Sequence, residues 1–129
     1  MLAADEITVL VVDDQQPFRL AARAVLRRTE GFALIGEAAT GEEAVDRVAE
    51  LRPTLVLMDI NMPGINGIEA TRRLLEVAPE TVVFLCSTYQ RGDLPPDAAT
   101  SGARAYVNKE ELGPRLLREL WEQRDSTDV

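Results

Sequence analysis

Five residues of this 129-residue chain carry groups suited to phosphoryl chemistry, and each closes an apolar run. Asp13 and Asp14 follow Val9-Leu10-Val11-Val12. Asp59 follows Leu55-Val56-Leu57-Met58, Ser87 follows Val82-Val83-Phe84-Leu85-Cys86, and Lys109 follows Ala105-Tyr106-Val107-Asn108. If these runs are parallel strands, three carboxylates, a hydroxyl and an ammonium meet at one edge of one sheet. Carboxylates gathered in a crevice repel one another, and a hard cation relieves that repulsion most directly. Magnesium accepts one or two carboxylates and several waters in octahedral geometry. It would also keep Asp59 ionised, the only form in which a carboxyl group is a nucleophile, and offset charge on an incoming phosphoryl group. Lys109 would add a point charge on the same oxygens, and Ser87 a hydroxyl hydrogen bond. The expected product is an aspartyl phosphate, which water can hydrolyse, and the expected protein is a phosphorylation switch.

Taken singly, these groups have plainer readings. An Asp pair behind a strand is commonly a turn or a helix cap, and Asp59 alone suits a strand-end turn. A lone lysine is usually a solvated surface residue. Ser87 suits capping, Tyr106 suits packing, and Cys86 reads as a small buried hydrophobe. Four separate strand ends, each with the required group, are what the plain readings do not explain together.

The elements that must position these groups alternate five times between strand and helix. Ile7 to Val12 is continuously apolar, as in a strand buried on both faces. Pro17 suits the first turn of a helix, and Phe18, Ala21, Ala22, Val25 and Leu26 share one helical face. Ala33 to Ala38 alternates weakly, like an edge strand. Thr40 with Glu43 is a capping-box signature, opening a helix that presents Ala44, Val45, Val48 and Ala49 before Pro53. Leu55 to Met58 is the third strand, followed by a Pro- and Gly-bearing loop, Asn61 to Asn66. A helix from about Gly67 to Val77 turns Ile68, Leu74 and Leu75 inward. Val82 to Cys86 and Ala105 to Val107 complete the strands. Pro114 opens a last helix striped by Leu112, Leu116, Leu117, Leu120 and Trp121. Such alternation implies right-handed crossovers and a parallel sheet. The predicted fold class is α/β, a flavodoxin-like doubly wound (βα)5 sandwich with strand order 2-1-3-4-5. Its site lies at the carboxyl ends of the strands, where strands 1 and 3 flank the switch point.

Composition narrows the function further. The length favours one domain, residues 1–129, with a core over about 7–124 and a polar tail over 125–129. Met1 to Glu6 also reads as loose. At 46% hydrophobic and 28% charged, the chain can bury a core without disulfides or structural metal. A net charge of -8 argues against direct nucleic-acid binding by this domain. One cysteine excludes an intramolecular disulfide and, with no visible signal peptide, points to a reducing cytoplasmic setting. Apolar runs of about five residues fall far short of a membrane helix, which needs roughly 20. The absence of histidine excludes Ser-His-Asp and Cys-His catalysis, and leaves any phosphohistidine to a partner.

The segments VLVVDDQQPFR, GEAATGEEAV, LVLMDINMPGINGIEATRRL, VVFLCSTY and GARAYVNK resemble, in order and spacing, the receiver domain of bacterial two-component response regulators. The resemblance runs from about Ile7 to Trp121 and is closest to the NarL/FixJ-type subfamily, many of whose members carry a C-terminal DNA-binding helix-turn-helix. It implies that Asp59 is the phosphoacceptor. Asp14 would ligate Mg2+ directly, Asp13 largely through water, and Asn61 through its backbone carbonyl, with Asp59 completing the metal set. Ser87 would be the switch hydroxyl, Tyr106 the aromatic whose rotamer follows it, and Lys109 the phosphate-binding lysine. The implied partners are a sensor histidine kinase or a His phosphotransfer protein and an output protein. The protein itself would be a monomer or weak homodimer, with the change read out on the face of the fourth helix, fifth strand and fifth helix.

Two features depart from the family pattern. The fourth-helix region reads RGDLPPDAATSGA, and Pro95-Pro96 should delay any helix to Pro96 and limit it to about two turns. Glu110 stands after Lys109, where many receivers carry a cis-proline. The resemblance suits a stand-alone receiver, or else the N-terminal receiver of a DNA-binding transcription regulator. A turnover phosphatase would want a second carboxylate two residues after the nucleophile, where this chain has Asn61. The protein is therefore expected not to be an enzyme beyond its own phosphorylation and autodephosphorylation. A degenerate, phosphorylation-independent receiver is disfavoured by the complete set of key side chains.

Overall fold

The computed structural model describes residues 6–125; the predicted loose start, Met1 to Glu6, and tail, 125–129, lie outside them except for Glu6 and Asp125. The chain runs β1 (Ile7–Val12), α1 (Gln16–Arg27), β2 (Phe32–Ala38), α2 (Gly41–Leu51), β3 (Leu55–Asp59), α3 (Gly67–Val77), β4 (Val82–Ser87), β5 (Ala105–Asn108) and α4 (Pro114–Glu122). The five strands form one parallel sheet in the predicted order, β2-β1-β3-β4-β5.

Strand alternation sends successive side chains to opposite faces, and two cores result. Leu10, Val12, Val56, Met58, Val83 and Leu85 pack with Ala44 and Val48 of α2 and with Ile68 and Leu74 of α3. Val9, Val11, Leu55, Leu57, Phe84 and Val107 pack with Ala22 and Leu26 of α1 and with Leu117 of α4. Both faces being covered, the central strands read as unbroken apolar runs. The edge strand β2 buries only Phe32 and Ala38 fully.

Local chemistry sets the element ends. Thr40 accepts a hydrogen bond from the Glu43 amide at 3.0 Å, and Glu43 reaches back to the Ala39 amide at 2.8 Å, one residue earlier than in the simplest capping box. Asn66 caps α3 by accepting from the Glu69 amide at 2.9 Å. Arg52 ends α2 in the left-handed region, φ 48°, and its guanidinium donates to the Val77 carbonyl at the end of α3.

The predicted fourth helix is not an α-helix. Two short 3₁₀ turns, Arg91–Asp93 and Pro96–Thr100, replace it. The second starts where Pro96 permits, as expected, because Pro95 holds an extended backbone (φ -55°, ψ 140°). From this segment Leu94 and Ala98 pack against the core. The helical stripes are also narrower than their periodicity suggests: Ala21 and Ala49 are exposed. In α4 only Leu117 is buried, while Leu116, Leu120 and Trp121 stay half-buried. No described peptide bond is cis, Lys109–Glu110 included. Among the described residues no helix is long and apolar enough to cross a membrane.

Candidate functional site

Strand pairing brings the acidic groups together. Asp59 is the last residue of β3, Ser87 of β4 and Asn108 of β5, while Asp13 and Asp14 follow β1 directly. Asp14, Gln15, Asp59, Asn61, Ser87, Thr88 and Lys109 line a crevice of about 330 Å³ at this edge. All the groups read from the sequence thus border one space, apart from Asp13, which lies behind it, and Tyr106, which lies beside it.

Asp13 is fully buried and Asp59 nearly so. Lys109 bridges them, its Nζ 2.6 Å from Asp13 Oδ2 and 3.1 Å from Asp59 Oδ1. The other Asp13 oxygen accepts from the Gln15 amide at 2.8 Å. Asp14, in contrast, is exposed. Burial and the neighbouring Asp13 charge push the Asp59 carboxyl up to about 6, against the opposing pull of Lys109. Burial by itself would make the Lys109 ammonium a stronger acid. The Asp13 hydrogen bond and the Asp59 charge outweigh it, so the net shift is upward and Lys109 stays charged.

One oxygen each of Asp13, Asp14 and Asp59 lie within 4.8 Å of one another. A set of hard carboxylate oxygens, one of them open to solvent, fits magnesium or manganese and lacks the nitrogen or sulfur donors that favour zinc.

The two candidate switch residues touch. Ser87 Oγ lies 2.9 Å from the Tyr106 hydroxyl and accepts from the Tyr89 amide at 3.1 Å. Tyr106 is buried, and its hydroxyl also donates to the backbone carbonyls of Ser87 and Tyr89. Burial raises its pKa, with the Ser87 hydrogen bond opposing. Cys86 is buried beside Asp59 in the β3–β4 register, and burial pushes its thiol far up, so it is inert.

Several supporting residues escaped the sequence reading. The Phe18 ring lies under the Lys109 ammonium, 4.7 Å from its centroid. Arg19 donates to the Asp13 carbonyl at 2.6 Å and pairs with Glu37 at 3.3 Å. Gly67 donates to the Ile60 carbonyl at 2.8 Å, and a Cβ there would overlap the Asp59 carbonyl. An arginine one turn into a helix that starts behind an Asp pair is a legible signal for Arg19. The Gly67 contact has no local signal, because the obstructing atom is eight residues away.

A family model described as the response regulator receiver domain matches residues 9–121. The response regulator GacA of Pseudomonas viridiflava is 39% identical over 103 residues, 80% of this chain and 48% of that protein. This chain therefore spans about half of that relative's length. The chemotaxis protein CheY of Thermotoga maritima is 32% identical over 112 residues, 87% of this chain and 92% of that protein. The response regulator domain of Thermotoga maritima CheB superimposes with a TM-score of 0.83 at 29% identity, over 93% of this chain and 97% of that one.

Proposed function

This chain belongs to the response regulator receiver domain family, and on that premise we propose that Asp59 accepts a phosphoryl group from a partner's phosphohistidine. The observation that carries this reading is the Lys109 bridge across Asp13 and Asp59 at the mouth of the crevice. There a nearly buried carboxylate, a positive charge held beside it and open space coincide.

With a carboxyl pKa of about 6, Asp59 is ionised roughly ten to one at pH 7. A carboxylate oxygen attacks phosphorus, the bond from phosphorus to the donor nitrogen breaks, and the imidazole leaves with the electron pair. The donor imidazole belongs to the partner, because this chain has no histidine. Lys109 holds the phosphoryl oxygens once Asp59 has reacted, and Ser87 turns its hydroxyl toward them. That rotation withdraws Ser87 from Tyr106 and from the Tyr89 amide, which supports Tyr106 as the follower. Asp14, Asp13, Asp59 and the Asn61 carbonyl would hold Mg2+, whose charge offsets the developing charge of transfer.

Receiver domains act with histidine kinases and output domains. Coverage of 92% of CheY and of 48% of GacA is consistent with a stand-alone receiver and with a receiver joined to an output domain alike. A stop codon directly after Val129 in the native reading frame would decide for the first. The proposed setting is cytoplasmic and the proposed assembly a monomer or weak homodimer, without direct nucleic-acid contact by this domain.

The test is intact mass after incubation with Mg2+ and a small acyl phosphate. Wild type gains one phosphoryl group and Asp59→Asn gains none. An equal adduct on Asp59→Asn would remove Asp59 from the role.

A further inference from the structure

Asn108 ends β5 beside Ser87 in the β4–β5 register and is 9% exposed. Like Asp59 and Ser87 at the neighbouring strand ends it is a buried polar side chain, and a buried amide costs stability unless its polar ends are used. Both ends are used here. Oδ1 accepts from the Glu110 amide at 2.9 Å, closing a turn around Lys109 and fixing the direction in which the lysine leaves the strand. Nδ2 donates to the Tyr89 carbonyl at 3.4 Å.

The Tyr89 peptide is gripped from both sides. Its amide donates to Ser87 Oγ, and its carbonyl accepts from the Tyr106 hydroxyl and from Asn108. If Ser87 Oγ turns to another partner, the Tyr89 amide and Tyr106 both lose a contact. The Asn108 bond does not depend on Ser87 and persists through that change. It is then the fixed tie between the segment that moves and the turn that carries Lys109.

We infer that Asn108 is a positioning residue that fastens the Lys109 turn to the Tyr89 peptide, so that the ammonium and the Ser87–Tyr106 hydroxyl pair respond as one unit. The coupling to phosphorylation rests on the reading given above; the tie itself does not.

The chain has one lysine and two tyrosines, so [15N]lysine and [15N]tyrosine labelling yields one and two backbone amide resonances. Wild type is compared with Asn108→Ala, which loses both hydrogen bonds, and Asn108→Asp, which keeps the turn acceptor but offers no donor to Tyr89. In resting protein, Asn108→Asp is expected to move the Tyr89 resonance and speed its amide exchange about tenfold by local opening, with Lys109 little moved. Asn108→Ala moves all three. An unmoved Tyr89 in both variants overturns the tie. With Mg2+ and acyl phosphate, the three wild-type resonances shift together. At equal adduct occupancy by mass, Tyr89 and Tyr106 shift at least several-fold less in Asn108→Asp. A full wild-type shift there overturns the coupling and leaves Asn108 a packing residue. No adduct on wild type defeats the phosphoacceptor reading instead, and the resting comparison still decides whether the tie exists.

Discussion

Three carboxylates share one ammonium in this site, and the imbalance falls on Asp59. Its folded carboxyl, raised to about 6 against 3.8 in the unfolded chain, binds its proton more tightly when folded. The associated stability is therefore complete below about pH 4 and is lost as pH rises through 6. The rise from 3.8 to about 6 corresponds to about 3 kcal/mol. In metal-free buffer, wild type is expected to lose about that much stability relative to Asp59→Asn between pH 4 and 7. Urea melts of the two proteins across that range measure the difference, and parallel profiles would show that Lys109 already balances the cluster. Saturating Mg2+ should abolish the difference, because a cation favours the ionised form.

Two elements decide how well the site is built. The N-terminus of α3 lies so close to the end of β3 that a side chain at Gly67 would strike the Asp59 carbonyl. Gly67→Ala is expected to cost roughly 1–3 kcal/mol by overpacking and to slow adduct formation at Asp59. Unchanged urea midpoint and adduct rate would mean that α3 can retreat freely. The segment between β4 and β5 is the other case. Its 3₁₀ turns span only three and five residues, closed by bonds such as Asp93 amide to Gln90 carbonyl and Ala98 amide to Pro95 carbonyl. Hydrogen exchange should find residues 91–100 among the least protected of the described residues, well below β4. Protection equal to that of β4 would contradict this.

Both cores are built on one sheet, so the molecule should unfold as one unit. Leu74 and Leu117 are fully buried on opposite faces. Leu74→Ala and Leu117→Ala are each expected to cost about 2–5 kcal/mol and to shift one shared urea transition. Two separable transitions would divide what we propose to be a single domain.

Residue periodicity and composition determined most of the architecture. Apolar runs ending in Asp, Ser and Asn-Lys placed the strands to within a residue or two, and Pro95-Pro96 foretold the loss of a full fourth helix. These features are local: backbone geometry and apolar spacing act within a few residues. The meeting of Asp13, Asp14, Asp59, Ser87 and Lys109 was legible because parallel topology forces strand ends onto one edge. Other features were decided only in three dimensions. Phe18 under Lys109, Arg19 on the Asp13 carbonyl, Gly67 against Asp59 and Asn108 on Tyr89 all depend on how neighbouring elements approach. Exposed Ala21 and Ala49 show the same limit, since periodicity names a helix face but not how much of it a neighbour covers. Burial of Asp59 likewise belongs to the fold, and with it the raised pKa that makes a cation useful there.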